Sequence, residues 1–171
     1  MTSNVWLGLG GNVGDVTAAM AAALQNLDTK DEIAIEAVSP IYKTPPWGVV
    51  DQPWFFNCCI RLTTSLSPKA LMTACQEQER IGKRERAQRW GPRTIDIDIL
   101  IFQGVEQDDP ELTLPHPRML ERSFVLIPLT DIDADMIVSG RSLSDWATDH
   151  NQADLEQLSA DQNWWRGPGV S

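Results

Sequence analysis

Apolar and polar positions along this chain repeat with two different periods, and the changes of period divide it into strands and helices. Residues 5–9 alternate as a strand. Gly10-Gly11-Asn12-Val13-Gly14-Asp15 then reads as a glycine-rich turn into a helix, because Asp15 is a natural N-cap and Val16, Met20, Ala23, Leu24 and Leu27 recur at helical spacing. Residues 33–43 are a second strand candidate, interrupted near Ser39-Pro40, where proline cannot donate to a ladder. A third strand is expected over Phe55–Thr64. Ser67-Pro68 opens a second helix, which buries Leu71, Met72, Cys75 and Ile81 and is expected to run into a basic loop over residues 83–89. From Thr94 to Phe102 the period returns to two: Ile95, Ile97, Ile99 and Ile101 should face one way, Asp96 and Asp98 the other.

The resulting order is strand, helix, strand, strand, helix, strand. It predicts an α+β fold, a ferredoxin-like βαββαβ sandwich with its helices on one sheet face and extra C-terminal elements. Asp96 and Asp98 would then lie on the open face. Among the extra elements, residues 111–114 suggest a short strand, and 123–129 and 142–150 suggest helices. Residues 161–171 read as a loosely ordered tail whose Trp164-Trp165 pair must find packing, on a partner if not within the chain.

Composition narrows the picture. At 171 residues the chain is long enough for one domain, expected over residues 1–160, and too short to argue for two. A net charge of −10 argues against non-specific nucleic-acid binding, no apolar run reaches membrane-spanning length, and the N-terminus lacks a secretory pattern. A cytoplasmic monomer is expected. Three cysteines without metal-type spacing read as reduced thiols.

Against this acidic background, six of the fourteen lysines and arginines, namely Arg80, Lys83, Arg84, Arg86, Arg89 and Arg93, crowd just before the aspartate strand. The two carboxylates, with Cα atoms roughly 6–7 Å apart on one strand face, repel unless a cation lies between them. Oxygen-only ligation suits Mg²⁺, which also takes waters and substrate phosphates. An edge strand with merely solvated aspartates is the alternative. The loop from Thr44 to Trp54 carries three prolines and two tryptophans and could act as a lid, its Trp47 and Trp54 either stacking on a planar ligand or packing on the core. Gln76 and Glu79 share a helix face, as ligand-binding groups or as solvated residues. His116, held between two prolines, sits near Arg118 and Arg122.

With these motifs in view, the chain closely resembles the 6-hydroxymethyl-7,8-dihydropterin pyrophosphokinase family of the folate pathway. The resemblance spans nearly the whole chain. It rests on Arg89-Trp90-Gly91-Pro92-Arg93-Thr94-Ile95-Asp96-Ile97-Asp98-Ile99-Leu100, with Thr44-Pro45-Pro46, Asp51-Gln52-Pro53, Phe55-Phe56-Asn57, Gln76-x-x-Glu79, and Pro115-His116-Pro117-Arg118 through Arg122-Ser123-Phe124 in support. It implies transfer of the β,γ-diphosphate of ATP to the pterin hydroxymethyl group, with release of AMP. Two Mg²⁺ ions on Asp96 and Asp98 are implied, with Arg84 and Arg86 as catalytic-loop arginines. Nucleotide-side positions are Gln76, Glu79, Trp90, Arg93, Ile99, His116, Arg118 and Arg122. Pterin-side positions are Gly10, Thr44, Pro45, Pro46, Trp47, Phe55, Asn57 and Phe124, with Phe55 and Phe124 sandwiching the ring and Asn57 reading its edge. Three departures from the family pattern are Gly11, where serine is usual, Phe55, where tyrosine is common, and the short loop between Arg86 and Arg89. The competing functions are a two-metal nucleotidyltransferase-like enzyme, which would release pyrophosphate, and a non-catalytic pterin- or nucleotide-binding module.

Overall fold

The fold is organised around its longest described strand, β1 (Ser3–Val13). The computed structural model describes residues 1–45, 53–88, 94–150 and 154–167, with residues 84–88 and 94 described through their backbone alone. β1 extends well beyond residues 5–9. Strand geometry continues through Gly10 and Gly11 to Val13, and Gly14, at φ 74°, turns the chain into α1 (Val16–Asp28). The glycines expected to form a turn are therefore largely strand residues, because neighbouring strands on both sides supply ladder partners, Asn57 and Asp96 in the case of Gly10. Asp15 caps α1 as its sequence indicates, accepting from the Ala18 amide at 3.1 Å.

β2 (Ile33–Val38) and β3 (Tyr42–Thr44) pair in succession along β4 (Phe55–Thr64), and the break between them falls where Ser39-Pro40 predicts it. Buried Ser39 holds that break: its amide donates to the Cys59 carbonyl at 2.8 Å, and its Oγ accepts from the Cys59 amide at 2.9 Å. α2 (Pro68–Gln88) starts with the Ser67 hydroxyl accepting from the Ala70 amide at 3.2 Å. The helix runs to Gln88, so Lys83, Arg84 and Arg86 sit on helical backbone and not in the expected loop. Lys, Arg, Glu and Gln are good helix formers even without apolar periodicity. β5 (Thr94–Phe102) pairs with the other edge of β1.

Two small hairpins follow. β6 (Gln107–Asp108) pairs with β7 (Thr113–Leu114) and, after α3 (Ser123–Asp133), β8 (Ile137–Val138) pairs with β9 (Arg141–Ser142). α4 (Leu143–Thr148) and β10 (Glu156–Gln157) complete the strands and α-helices. The main sheet is antiparallel, in the order β10-β3-β4-β1-β5 with β2 also on β4, and four α-helices are present among the described residues. None of the described helices is long and apolar enough to cross a membrane.

Both faces of the sheet carry helices, which corrects the expectation of one helical face. On the first face Val5, Leu7 and Leu9 pack with Met20, Leu24 and Leu27 of α1, Leu71 and Cys75 of α2, and Ile95, Ile97 and Ile99 of β5. On the second, Trp6, Cys59 and Leu100 pack with Val125, Leu126 and Leu129 of α3 and Leu143 of α4. Each fully buried Leu or Ile in these layers contributes about 1.5–3 kcal/mol. The C-terminal end of α3 is tied down by Asp133, which accepts from Trp6 Nε1 at 2.7 Å and pairs with Arg61 at 2.9 Å. A register shift between Trp6 and Leu7 leaves an extra residue on β5, so Phe102 takes the first-face position expected for Ile101, and Ile101 packs against the second cluster.

The stretch expected to be a loose tail packs within the chain at Trp164–Arg166. Trp165, in the 3₁₀ turn Trp164–Arg166, is 3% exposed in the first core and its carbonyl accepts from Gln25 Nε2 at 2.6 Å. Trp164 Nε1 donates to the Ser39 carbonyl at 2.9 Å.

Candidate active site

The second face of β1 presents Trp6, Gly8 and Gly10 in alternation. Trp6 reaches up into the α3 layer, whereas Gly8 and Gly10 leave the strand bare. Their cross-strand partners form two banks: Asp98 and Asp96 on β5, and Cys59 and Asn57 on β4. A cavity of about 360 Å³ opens over this strip, a size suited to a small-molecule ligand.

The walls come from four elements. Buried Thr44, at the end of β3, is in register with Phe55 at the start of β4, and both line the cavity with Asn57. Arg122 and Phe124, at the start of α3, close the side across from them, the Arg122 guanidinium 5.7 Å from the Phe124 ring centroid. Asp96 and Asp98 are exposed on β5, while the isoleucines between and beside them are buried beneath the sheet. Gly10, Thr44, Phe55, Asn57, Asp96, Asp98, Arg122 and Phe124, singled out from sequence at widely spaced positions, thus line a single cavity.

The donor set fits a hard cation. Two exposed carboxylates on one bank supply oxygen ligands alone, and among the described residues no cluster of three or more His, Cys, Asp or Glu competes as a metal site. Coordination by so few protein groups leaves positions for water and substrate oxygens, as Mg²⁺ prefers.

Glu79 of α2 approaches the same strand from the side, accepting from the Ile97 amide at 3.3 Å, at the residue between the two aspartates. Burial pushes its carboxyl above the ordinary range. The Ile97 amide opposes that rise, the charges of Asp96 and Asp98 reinforce it, and Lys83 opposes it. The negative field reaches Cys75 as well, whose thiol is pushed up to about 12 by burial first and then by Glu79 and Asp98. Gln76, one turn away on α2, is exposed and does not line the cavity.

His116 stands beside this bank. Its amide donates to the Leu100 carbonyl at 2.8 Å, and its Nδ1 accepts from the Arg118 amide at 3.1 Å, which leaves the proton of the neutral ring on Nε2. Burial lowers its pKa; Asp98 opposes this, while Arg122 and Arg118 add to it. Arg118 is exposed, and Ile99 is buried in the first core on the face away from the carboxylates. Pro45 is half-buried just after β3. Pro46, Trp47, Trp90 and Arg93 lie outside the described residues, as do the side chains of Arg84 and Arg86.

Several lining residues had no motif to mark them, among them Gly8, Cys59 and Val125. For Gly8 a signal exists in the alternation Trp6-x-Gly8-x-Gly10, which shows a strand face stripped of side chains after one large anchor.

Comparison with known proteins agrees with this geometry. The family model for 7,8-dihydro-6-hydroxymethylpterin-pyrophosphokinase matches residues 6–134. A 2-amino-4-hydroxy-6-hydroxymethyldihydropteridine pyrophosphokinase of Methylorubrum extorquens is 38% identical over 156 residues, covering 91% of this chain and 99% of the relative. Its Pseudomonas aeruginosa counterpart is 41% identical over 144 residues, covering 84% and 89%. Among solved structures, a Plasmodium falciparum HPPK-DHPS chain bound to pterin and p-hydrobenzoate superposes with a TM-score of 0.68 at 14% identity, over 87% of this chain and 42% of that one. An HPPK-DHPS chain in complex with substrates superposes at 0.66 and 14% identity, over 86% and 43%. This chain therefore spans less than half of those solved chains, and at such identity they speak for the fold alone. On the family match and on relatives aligned along most of their length, the chain belongs to the 7,8-dihydro-6-hydroxymethylpterin-pyrophosphokinase family.

Proposed function

We propose that the chain transfers the β,γ-diphosphate of ATP to the hydroxymethyl group of 6-hydroxymethyl-7,8-dihydropterin, releasing AMP, as a step of folate biosynthesis. One observation carries the reading: a bare strip of β1 separates a bank of two carboxylates from a bank with an amide and aromatic rings. Such a strip can seat a flat ring with its reacting carbon facing the acidic bank. The family membership favours diphosphate transfer over nucleotidyl transfer or simple binding.

Phe55 and Phe124 hold the ring by stacking, and the Asn57 amide, able both to donate and to accept, reads its polar edge. Thr44 extends this side, with Gly10 beneath, and Pro45, Pro46 and Trp47 are assigned to the pterin with them. Asp96 and Asp98 would hold two Mg²⁺ ions. When bound, these ions neutralise triphosphate charge and acidify the attacking hydroxyl. Arg122 faces the same cavity and His116 flanks Asp98, so both suit the nucleotide side. Gln76, Glu79, Trp90, Arg93, Ile99 and Arg118 complete that assignment. Arg84 and Arg86, whose backbone lies near the end of α2, are assigned as the catalytic arginines, a role that guanidinium forks suit on transferring phosphoryl oxygens.

The strand order β3-β4-β1-β5, with β2 and β3 sharing the β4 edge, supports the ferredoxin-like reading, to which α3 and α4 add a second helical layer. Residues 1–160 act as one catalytic domain, whose first core the Trp164–Arg166 turn completes. The test is AMP formation from ATP with and without the pterin. AMP together with a pterin diphosphate is the expected outcome, whereas pyrophosphate release with an adenylated product would refute it.

A further inference from the structure

Gly10 and Asn57 are directly paired across β1 and β4, and both line the cavity. A Cβ placed on Gly10 would collide with Asn57 Oδ1, while it would stand 3.5 Å from Asn57 Cγ and 3.6 Å from the Phe56 carbonyl, both ordinary contacts. The Asn57 amide therefore lies across the space where a side chain on β1 would be. Asn57 is 8% exposed and borders the cavity, so the space open to its amide is the cavity itself. By contrast, a Cβ on Gly8, the preceding bare position, would meet Leu100 carbons no closer than 3.5 Å. Gly10 is also in register with Asp96, so the same residue sets the spacing between the amide bank and the carboxylate bank.

We infer that Gly10 is a positioning residue for pterin recognition: it acts by leaving room for the Asn57 amide to lie flat over β1 with its donor and acceptor turned to the ring edge. The inference rests on the reading that Asn57 binds that edge. It differs from a glycine that merely borders the ring, because the group in contact is the far end of the Asn57 side chain. Gly10→Ala should leave backbone pairing intact, since the conflict is relieved by rotating one amide. That rotation takes the amide off its target.

The experiment is a double-mutant cycle on the full chain, with binding of 6-hydroxymethyl-7,8-dihydropterin and, in parallel, of ATP measured by titration calorimetry. Asn57→Ala should weaken pterin binding about tenfold, the worth of a buried hydrogen-bonding group. Gly10→Ala should give a similar loss with ATP affinity unchanged, and Gly10→Ala in the Asn57→Ala background should add less than about twofold. Losses that multiply would overturn the inference, because Gly10 would then act on the ring independently of Asn57. So would normal pterin binding by Gly10→Ala when Asn57→Ala binds weakly. Normal pterin binding by Asn57→Ala would instead sink the reading of Asn57 itself, and the inference with it. Should Gly10→Ala not fold, the double variant must regain the stability of Asn57→Ala, as the clash has gone; failure to do so refutes the proposal.

Discussion

The second sheet face has two halves built on the same strands, one closed and one open. In the closed half, Trp6 anchors a layer in which Leu126 and Leu129 are fully buried, and its indole donates to Asp133. Two and four residues further along β1, Gly8 and Gly10 leave the face uncovered, and the cavity lies there with Asp96, Asp98 and Asn57 around it. Side chains present on one half make the core, and side chains omitted from the other make the site. Stability and chemistry therefore depend on different residues of one strand, and substitutions should separate them.

The largest expected effect is on the open half. Asp98→Ala should cut turnover by about a thousandfold or more, on the scale of several kcal/mol of lost charge stabilisation, while the melting temperature stays within a few degrees. Activity near normal in Mg²⁺ would break the contrast. On the closed half, Leu126→Ala should cost about 2–5 kcal/mol of stability, with the remaining folded protein turning over at close to the original rate; denaturant titration and active-site-normalised kinetics check the two parts.

A smaller effect tests the seam between the halves and the sheet edge. The Tyr42 hydroxyl donates to Asp131 of α3, and burial, that hydrogen bond and the Asp131 charge all hold its phenol above the ordinary range. Tyr42→Phe should lower stability by about 1–2 kcal/mol. The pH dependence follows from the same shifts. Tyr42 and the buried thiols of Cys58, Cys59 and Cys75 have folded-state pKa values raised, chiefly by burial. Above about pH 9 the unfolded chain loses these protons first, so stability should be fully present below about pH 8 and decline as pH rises through 9 and 10. Denaturation midpoints at pH 7.5 and 10 decide this, and a flat profile would count against tight burial of these groups. The smallest expected signal is quenching of tryptophan emission on pterin addition through Trp47; saturating pterin without change would favour simple packing of that residue.

Much of this was legible in the chain. Phe55–Thr64 and Thr94–Phe102 begin and end as their alternation indicates, and Asp15 and Ser67 cap the helices that follow them. Where the reading failed, long-range pairing had overruled local preference. Gly10 and Gly11 look like a turn until strands flank them on both sides, and the tail after residue 161 looks idle until Trp165 finds the first core. The extra residue at Leu100 is invisible to a period-two pattern because it depends on how β5 meets β1. The site was visible as residue types, since carboxylates, an amide and arginines advertise chemistry. Its floor was not, because a missing side chain signals nothing until the strand face it belongs to is known.

The hydrogen bond from Trp164 to Ser39 has a consequence for the order in which the molecule can be finished during synthesis. Its partners are 125 residues apart, and Ser39 occupies the break between β2 and β3. A nascent chain can pair β4 with both strands long before its last segment leaves the ribosome, yet the carbonyl at that break gains its indole partner only when residue 164 emerges. The edge of β3 is covered once β10 emerges, whereas a chain cut short before Trp164 would leave the Ser39 carbonyl at the break without its indole partner.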